Sequence, residues 1–136
     1  MGTWATGSFG NDSAGDWVID LLENPSYAFL EETLRASIEK SDDPMLNENA
    51  IAAAEVVCIV STGVKPKDYK EVSHNLTPAI KKLKQRKMPI HLKNLAIQTV
   101  VMIEQNSELK ELWEGDNDWG AEIQVLKQRL QSSGTI

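Results

Sequence analysis

The chain has 136 residues, 41% of them hydrophobic and 25% charged, which is the composition of an ordinary globular domain and excludes global disorder. Its single cysteine, Cys58, excludes an intrachain disulfide framework and a multi-cysteine zinc site. The net charge of −6 argues against a protein that coats nucleic acid over its whole surface.

The charge is spread unevenly along the chain. Three consecutive parts differ in net charge: −9 over residues 1–64, +7 over residues 65–93 and −4 over residues 94–136. The basic part could bind an anionic partner, or it could pair with the acidic helices around it. No aromatic residue lies between Tyr69 and Trp113, so stacking on nucleic-acid bases is poorly provided for. We therefore expect Lys81 to Lys87 to form a solvated face that pairs within the fold, and we expect no nucleic-acid partner.

The first ten residues contain no basic cluster and no apolar run of signal-peptide length. The longest apolar stretch, residues 51–64, contains Glu55 and is too short to cross a bilayer. These features predict a cytoplasmic protein with no membrane partner, a setting in which one free thiol stays reduced.

Two helices are predicted in the N-terminal third. The first begins at Asp12 or Ser13, whose side-chain oxygen can cap it, and ends at Asn24, which precedes a proline. Its apolar residues recur at helical spacing: Ala14, Trp17, Val18, Leu21 and Leu22. Ser26 caps the second helix. The apolar face predicted for that helix consists of Tyr27, Leu30, Leu34 and Ile38.

The third predicted helix, residues 48–62, is apolar on all sides and should be the buried centre of the domain, with Gly63 as its C-terminal cap. Residues 64–75 are predicted as a loop, and Thr77 with Pro78 as the start of a fourth helix. The residues expected to face inward there are Ala79, Ile80 and Leu83, and those expected to face outward are Lys81, Lys82, Lys84, Arg86 and Lys87.

A second strongly apolar helix should follow Pro89, and a short helix should lie near Leu109. After a turn at residues 115–118, the last helix has one apolar stripe: Trp119, Ile123, Leu126 and Leu130. No stretch alternates in polarity for long enough to predict a strand. The sequence thus predicts an all-α fold of about six or seven helices in a single domain, 1–136, with an ordered N-terminal arm (1–11) and a frayed tail (132–136).

Residues suited to catalysis or metal binding are few. Cys58 lies among valines and isoleucines, where burial should raise its pKa and make it inert. His74 and His91 lack the spacing that places two metal ligands on one helical face, so we expect surface or capping roles for both. No phosphate-binding glycine loop or nucleophile elbow occurs. The sequence therefore predicts no catalytic residue, no bound metal and no cofactor.

Three carboxylates form the one pattern in the sequence that could bind a metal ion. Asp12, Asp16 and Asp20 are spaced four residues apart and should line one side of the first helix. Such a stripe could hold a divalent cation, although it supplies only part of the oxygen ligands that such an ion needs. In the alternative that we prefer, Asp12 and Asp16 stabilise the positive N-terminus of the helix and Asp20 lies in solvent.

A family resemblance begins at the N-terminus, in the run Met1-Gly2-Thr3-Trp4-Ala5-Thr6-Gly7-Ser8-Phe9-Gly10-Asn11-Asp12-Ser13-Ala14-Gly15-Asp16-Trp17. It resembles the opening of a bacterial family, domain of unknown function 4259, whose pattern is Met-Gly-x-Trp-Gly-x-Gly-x-Phe-x-Asn-Asp-x-Ala-x-Asp-Trp. Ala5 departs from the usual glycine and Gly10 from a frequent aspartate. The likeness continues in Ala52 to Val57, in Ser107 to Glu114 and at Trp119, so it covers most of the chain.

The resemblance implies a small bacterial helical protein of a family without an established activity. It directs attention to six residues that could bind a ligand: Trp4, Phe9, Asn11, Asp12, Asp16 and Trp17. In the structural interpretation, which we favour, the polar residues cap the helix and the aromatic residues pin the arm to the body, because aromatic residues at anchoring spacing are mostly core. In the functional interpretation, the arm closes a small pocket with polar residues at its rim.

With an acidic surface and no catalytic constellation, the sequence favours a non-enzymatic protein-interaction module, for example an immunity-type protein, that binds a basic protein of unknown identity. The first alternative is a small-molecule or divalent-metal-binding domain, or an enzyme, that uses Asp12, Asp16 and Asp20. The second is anion or RNA binding through Lys81 to Lys87.

Overall fold

The computed structural model describes residues 12–63, 73–106 and 117–132, and these residues form six α-helices. In chain order they are α1 (Asp12–Glu23), α2 (Tyr27–Glu39), α3 (Pro44–Thr62), α4 (Ser73–Leu83), α5 (Ile90–Asn106) and α6 (Asn117–Ser132). No strand occurs in these three segments, and the all-α prediction is confirmed. The arm over residues 1–11, the short helix near Leu109 and the tail beyond Ser132 lie outside the described residues.

The central helix is α3, as its sequence predicts. It contacts each of the other five helices, and every residue from Ala50 to Ile59 is buried. A helix that is apolar on all sides has no face suited to water, so it is stable only when other helices surround it. Its small residues, Ala52 to Ala54, let the neighbouring helices pack close to its backbone. No helix in the described segments is long and apolar enough to cross a membrane.

The start of α3 differs from the prediction. The helix begins at Pro44, one turn before residue 48, because the Asp43 carboxylate accepts hydrogen bonds from the N–H groups of Met45 and Leu46 at 3.0 and 3.3 Å. A proline suits the first helical position, where its missing N–H would have had no partner. The predicted C-terminal cap is confirmed: Gly63 has φ +80° and donates its N–H to the Ile59 carbonyl.

A buried polar contact changes the predicted inner face of α2. The Ser37 hydroxyl donates a 2.7 Å hydrogen bond to Asn47 Oδ1, and Asn47 Nδ2 donates to the Ser41 carbonyl at 3.1 Å. Both side chains are fully buried, and these two hydrogen bonds give each of them a polar partner. Ile38, which was predicted to face the core, is 40% exposed. Ser37 takes its place, and the N-terminal cap that was predicted at Ser26 is confirmed.

The start of α4 is also earlier than predicted. The helix begins at Ser73, so Pro78 lies inside it and His74 is helical rather than in a loop. Proline removes one hydrogen bond to the residue four positions earlier. Burial of Leu76, which is 0% exposed, compensates by anchoring the first turns in the core. The local signal for a helix start at Thr77 is therefore overridden by tertiary packing.

Candidate functional site

Trp17 is a core residue in this structure. Its side chain is 4% exposed, and its indole N–H donates a 2.9 Å hydrogen bond to Thr33 Oγ1. Its ring stacks on Phe29 with a centroid separation of 5.7 Å and an interplanar angle of 12°. These contacts join α1 to α2 through both the polar and the apolar part of the indole. The predicted contact with the arm stays a prediction, because Trp4, Phe9 and Asn11 lie outside the described residues.

The predicted carboxylate stripe is in part described. Asp16 and Asp20 are both exposed on α1, whereas the side chain of Asp12 lies outside the described residues. Within the part of the chain that the structure describes, no group of three histidine, cysteine or carboxylate side chains is close enough to hold a metal ion. The structure thus places two of the predicted residues one helical turn apart on the surface and brings no further described ligand to them.

Both histidines lie at the surface, as predicted. His74 is exposed on α4, and His91 is exposed in the first turn of α5. His91 Nε2 lies 2.7 Å from Glu31 Oε1, and the other oxygen of Glu31 accepts a 2.9 Å hydrogen bond from Arg35. These hydrogen bonds, that of His91 first, lower the pKa of the Glu31 carboxyl. The contact joins α2 to α5.

A buried charged pair, which the sequence analysis missed, joins α3 to α6. The Glu55 side chain is 1% exposed and accepts a 2.8 Å hydrogen bond from Arg129, which is 18% exposed. Cys58 follows one turn later, and its Sγ lies 3.7 Å from Thr62 Oγ1. Burial raises the pKa of the Cys58 thiol, as predicted. A charged residue inside an otherwise apolar helix was the available signal, since buried carboxylates need a partner.

The predicted basic face is called the basic segment, and it consists of Lys81, Lys82, Lys84, Arg86 and Lys87. All five side chains are exposed, as predicted. The ion pairs within the described residues are Arg35–Glu31, His91–Glu31, Lys127–Glu104 and Arg129–Glu55, and none of them involves the basic segment. The expected pairing with acidic helices is therefore not found among the described side chains, and pairing with acidic side chains outside them stays a prediction. The reason is geometric: α4 packs on α1 through its apolar side, while these cations occupy its outer side and the turn after it.

A cleft of about 600 Å³ opens between the first turn of α2 and the end of α4. The residues that line it are Pro25, Ser26, Tyr27, Ala28, Lys82, Leu83, Gln85 and Arg86. Two of them, Lys82 and Arg86, belong to the basic segment, and none of these lining residues is acidic. The cleft is therefore a concave, positively charged part of a protein whose net charge is −6.

Tyr27 fixes the two sides of the cleft relative to each other. Its hydroxyl lies 2.6 Å from the Leu83 carbonyl and 3.0 Å from the Arg86 carbonyl, and it donates its single proton to one of them at a time. Partial burial raises the pKa of this hydroxyl. The sequence predicted Tyr27 only as an apolar face residue. A signal was present, since a tyrosine at a helix start carries a polar group that needs a partner when it is covered.

The first turn of α2 adds positive partial charge to the same cleft. Ser26 accepts hydrogen bonds from two of the first N–H groups, those of Phe29 at its Oγ and of Leu30 at its carbonyl. The N–H groups of Tyr27 and Ala28 have no acceptor within a helix. No acidic residue lies in this first turn. The N-terminus of α2 and two cationic side chains favour an anion in the cleft, and together they oppose the negative partial charge at the C-terminus of α4, which ends at the same cleft.

Comparison with known proteins agrees with the resemblance at the N-terminus. A model of the family described as Domain of unknown function (DUF4259) matches residues 2–124. No curated protein and no solved structure matches the chain. Because the family model covers far more than half of the sequence, from residue 2 through the first half of α6, the chain belongs to the DUF4259 family.

Proposed function

We propose that this protein is a non-enzymatic interaction module and that its basic segment binds an acidic region of a partner protein. The observation that carries the proposal is a set of five neighbouring cations that have no carboxylate partner among the described residues. Of the five other lysines and arginines in those residues, Arg35, Lys127 and Arg129 are paired with carboxylates, and Lys40 and Lys93 are not. Cations this close together repel one another, and an acidic partner would offset that repulsion.

An exposed apolar side chain beside the basic segment supports a protein as the partner. Ile90 is 81% exposed at the start of α5, three residues after Lys87. A small anion would leave this side chain in water, whereas a protein surface can cover it while acidic residues meet the cations around it. Nucleic acid is less well suited, because the segment has no aromatic side chain on which a base could stack.

The acidic surface alone predicted a basic partner. We now assign the contact to the basic segment, because Ile90 beside it is 81% exposed, whereas Ile19 beside the exposed acids of α1 is 45% exposed. An immunity-type role and a cytoplasmic, bacterial setting stay part of the proposal. In such a role the partner would be a toxin with an acidic surface region.

Site-specific photo-crosslinking tests the proposal. A crosslinking residue placed at Lys84 should label one partner protein in cells, and the same residue at Glu39 should not. Glu39 is a suitable control because it is exposed at the far end of α2, about 18 Å along the helix axis from Tyr27. Charge reversal by Lys81→Glu and Lys87→Glu should abolish the crosslink from position 84. An equal crosslink to the same protein from both positions, or one that survives charge reversal, would contradict the proposal.

A second proposal, binding of a divalent metal ion or small molecule at the acidic side of α1, is favoured by one observation. Asp16 and Asp20 are both exposed one turn apart, so they are accessible to an ion. Metal that binds only the folded protein raises the melting temperature. If the proposal holds, millimolar Mg²⁺, Mn²⁺, Ca²⁺ or Zn²⁺ should raise the melting temperature of the wild type, and the increase should be lost in Asp16→Asn/Asp20→Asn. No increase with any of the four ions would end it.

A further inference from the structure

We infer that the cleft between α2 and α4 binds a glutamate or aspartate side chain of the acidic partner, an inference that rests on the proposed function. The proposed function concerns the electrostatic attraction of the whole basic segment. The inference adds a defined position at which one carboxylate of the partner is held. It is carried by the shape of the cleft and by which two cations line it.

The charges around the cleft favour an anion inside it. Lys82 and Arg86 lie on its wall, and neither has a carboxylate partner among the described residues. The Leu83 and Arg86 carbonyls, which would otherwise repel an anion, lie within hydrogen-bond distance of the Tyr27 hydroxyl. The Tyr27 hydroxyl donates its proton to one of these carbonyls at a time and so offsets part of the negative partial charge of that carbonyl.

The apolar lining favours a side chain over a free inorganic anion. Pro25, Ala28 and Leu83 line the same cleft as the two cations. The methylene groups of a glutamate or aspartate can contact these residues while the carboxylate meets Lys82 and Arg86, and a guanidinium can hold a carboxylate through two parallel hydrogen bonds. Inorganic phosphate would gain only the charged part of this contact. At about 600 Å³, the cleft also has room for backbone that flanks the bound side chain.

The basic segment supplies its own matched control. Lys84 and Lys87 are exposed in the same turn but do not line the cleft. The double variants Lys82→Gln/Arg86→Gln and Lys84→Gln/Lys87→Gln therefore remove the same charge from the same segment. They differ only in whether the lost cations face the bound carboxylate. A third variant, Ala28→Phe, fills the cleft at an exposed position without any change of charge.

The experiment measures the binding of a fluorescein-labelled ten-residue glutamate peptide by fluorescence anisotropy, with an equally long glutamine peptide as the neutral probe. The wild type should bind the glutamate peptide and not the glutamine peptide. Lys82→Gln/Arg86→Gln should weaken binding about tenfold or more, because two close charge pairs are lost. Lys84→Gln/Lys87→Gln should weaken peptide binding about two- to threefold, because these two cations attract the peptide only through their electrostatic field at a distance. Ala28→Phe should weaken binding by blocking access. Thermal melts establish that each variant is folded.

Three outcomes overturn the inference. Equal losses of peptide affinity in the two double variants would mean that binding depends only on the net charge of the segment. The cleft would then not be the binding position, and the proposed function would be unaffected. Full binding by Ala28→Phe would likewise place the peptide outside the cleft. Failure of the wild type to bind the glutamate peptide would reject carboxylate binding in the cleft. The proposed function itself is tested separately, by the crosslinking experiment and by the affinity of the charge-reversed variant for the crosslinked partner.

Discussion

The guanidinium of Arg129 lies 2.8 Å from the carboxylate of Glu55, whose side chain is 1% exposed in the middle of the central helix. The last described helix, α6, is therefore attached to α3 by a buried ion pair as well as by its apolar residues Ile123, Leu126 and Leu130. Such a pair contributes little net stability compared with apolar side chains of the same size. Breaking it is costly, because the remaining buried charge loses its oppositely charged partner and does not regain contact with water.

Replacement of Arg129 should therefore destabilise the fold far more than replacement of an exposed arginine. We expect Arg129→Met to lower the free energy of unfolding by about 3 kcal/mol, the lower end for a buried pair because Glu55 has a further interaction. Arg35→Met, which breaks an exposed pair, should cost less than about 0.5 kcal/mol. Urea unfolding of both variants measures this difference. Equal destabilisation would show that loss of the buried pair costs no more free energy of unfolding than loss of the exposed pair.

Two glycines should respond to alanine in opposite directions. Gly63 has φ +80°, a conformation that an L side chain rarely adopts, so Gly63→Ala should cost about 1 kcal/mol although a Cβ would meet nothing within 4 Å. A Cβ at Gly15, inside α1, would also meet nothing within 4 Å, and there alanine should stabilise by about 0.5–1 kcal/mol through helix propensity. Thermal melts of the two variants decide. A stabilising Gly63→Ala would contradict the left-handed cap.

Glu31 should make the stability sensitive to acid. Hydrogen bonds from His91 and Arg35 lower the pKa of its carboxyl below the ordinary value of 4.5. Its stabilising contribution is therefore complete above pH 4.5 and is lost as the pH falls through the lowered folded pKa. The melting temperature of the wild type should exceed that of Glu31→Gln at about pH 6, and the two melting temperatures should become equal at about pH 3. His91→Gln removes the main cause of the lowered pKa of Glu31. The difference in melting temperature between the wild type and this variant should therefore show most of the same decrease as the pH falls. A constant difference over this range would refute the assignment.

Tyr27 should matter both for stability and for the cleft. Tyr27→Phe removes the hydroxyl that reaches the Leu83 and Arg86 carbonyls, and we expect a loss of about 1 kcal/mol in urea unfolding. The variant should also show faster amide hydrogen exchange in the turn after α4 and a weaker affinity for the glutamate peptide. If exchange in that turn and peptide affinity both stay at the wild-type level, Tyr27 does not hold the cleft in shape.

Local signals predicted the helices better than they predicted the contacts between them. Ser26 and Gly63 could be identified as caps because the atoms that they satisfy lie within four residues of them. The Thr77–Pro78 signal gave the wrong helix start, since burial of Leu76 is a tertiary effect that no local pattern carries. The Tyr27–Leu83 contact spans 56 residues and the Arg129–Glu55 contact 74, so neither side of the cleft nor the buried pair could be matched from the sequence.

The central claim is that the exposed cations of the basic segment hold an acidic partner protein. Its most direct test is the dissociation constant between this protein and the purified partner that crosslinks at position 84, measured by titration calorimetry for the wild type and for Lys81→Glu/Lys87→Glu. The account predicts that charge reversal weakens binding at least about tenfold and that the wild-type affinity falls as salt is raised. An unchanged dissociation constant in the charge-reversed variant would contradict it.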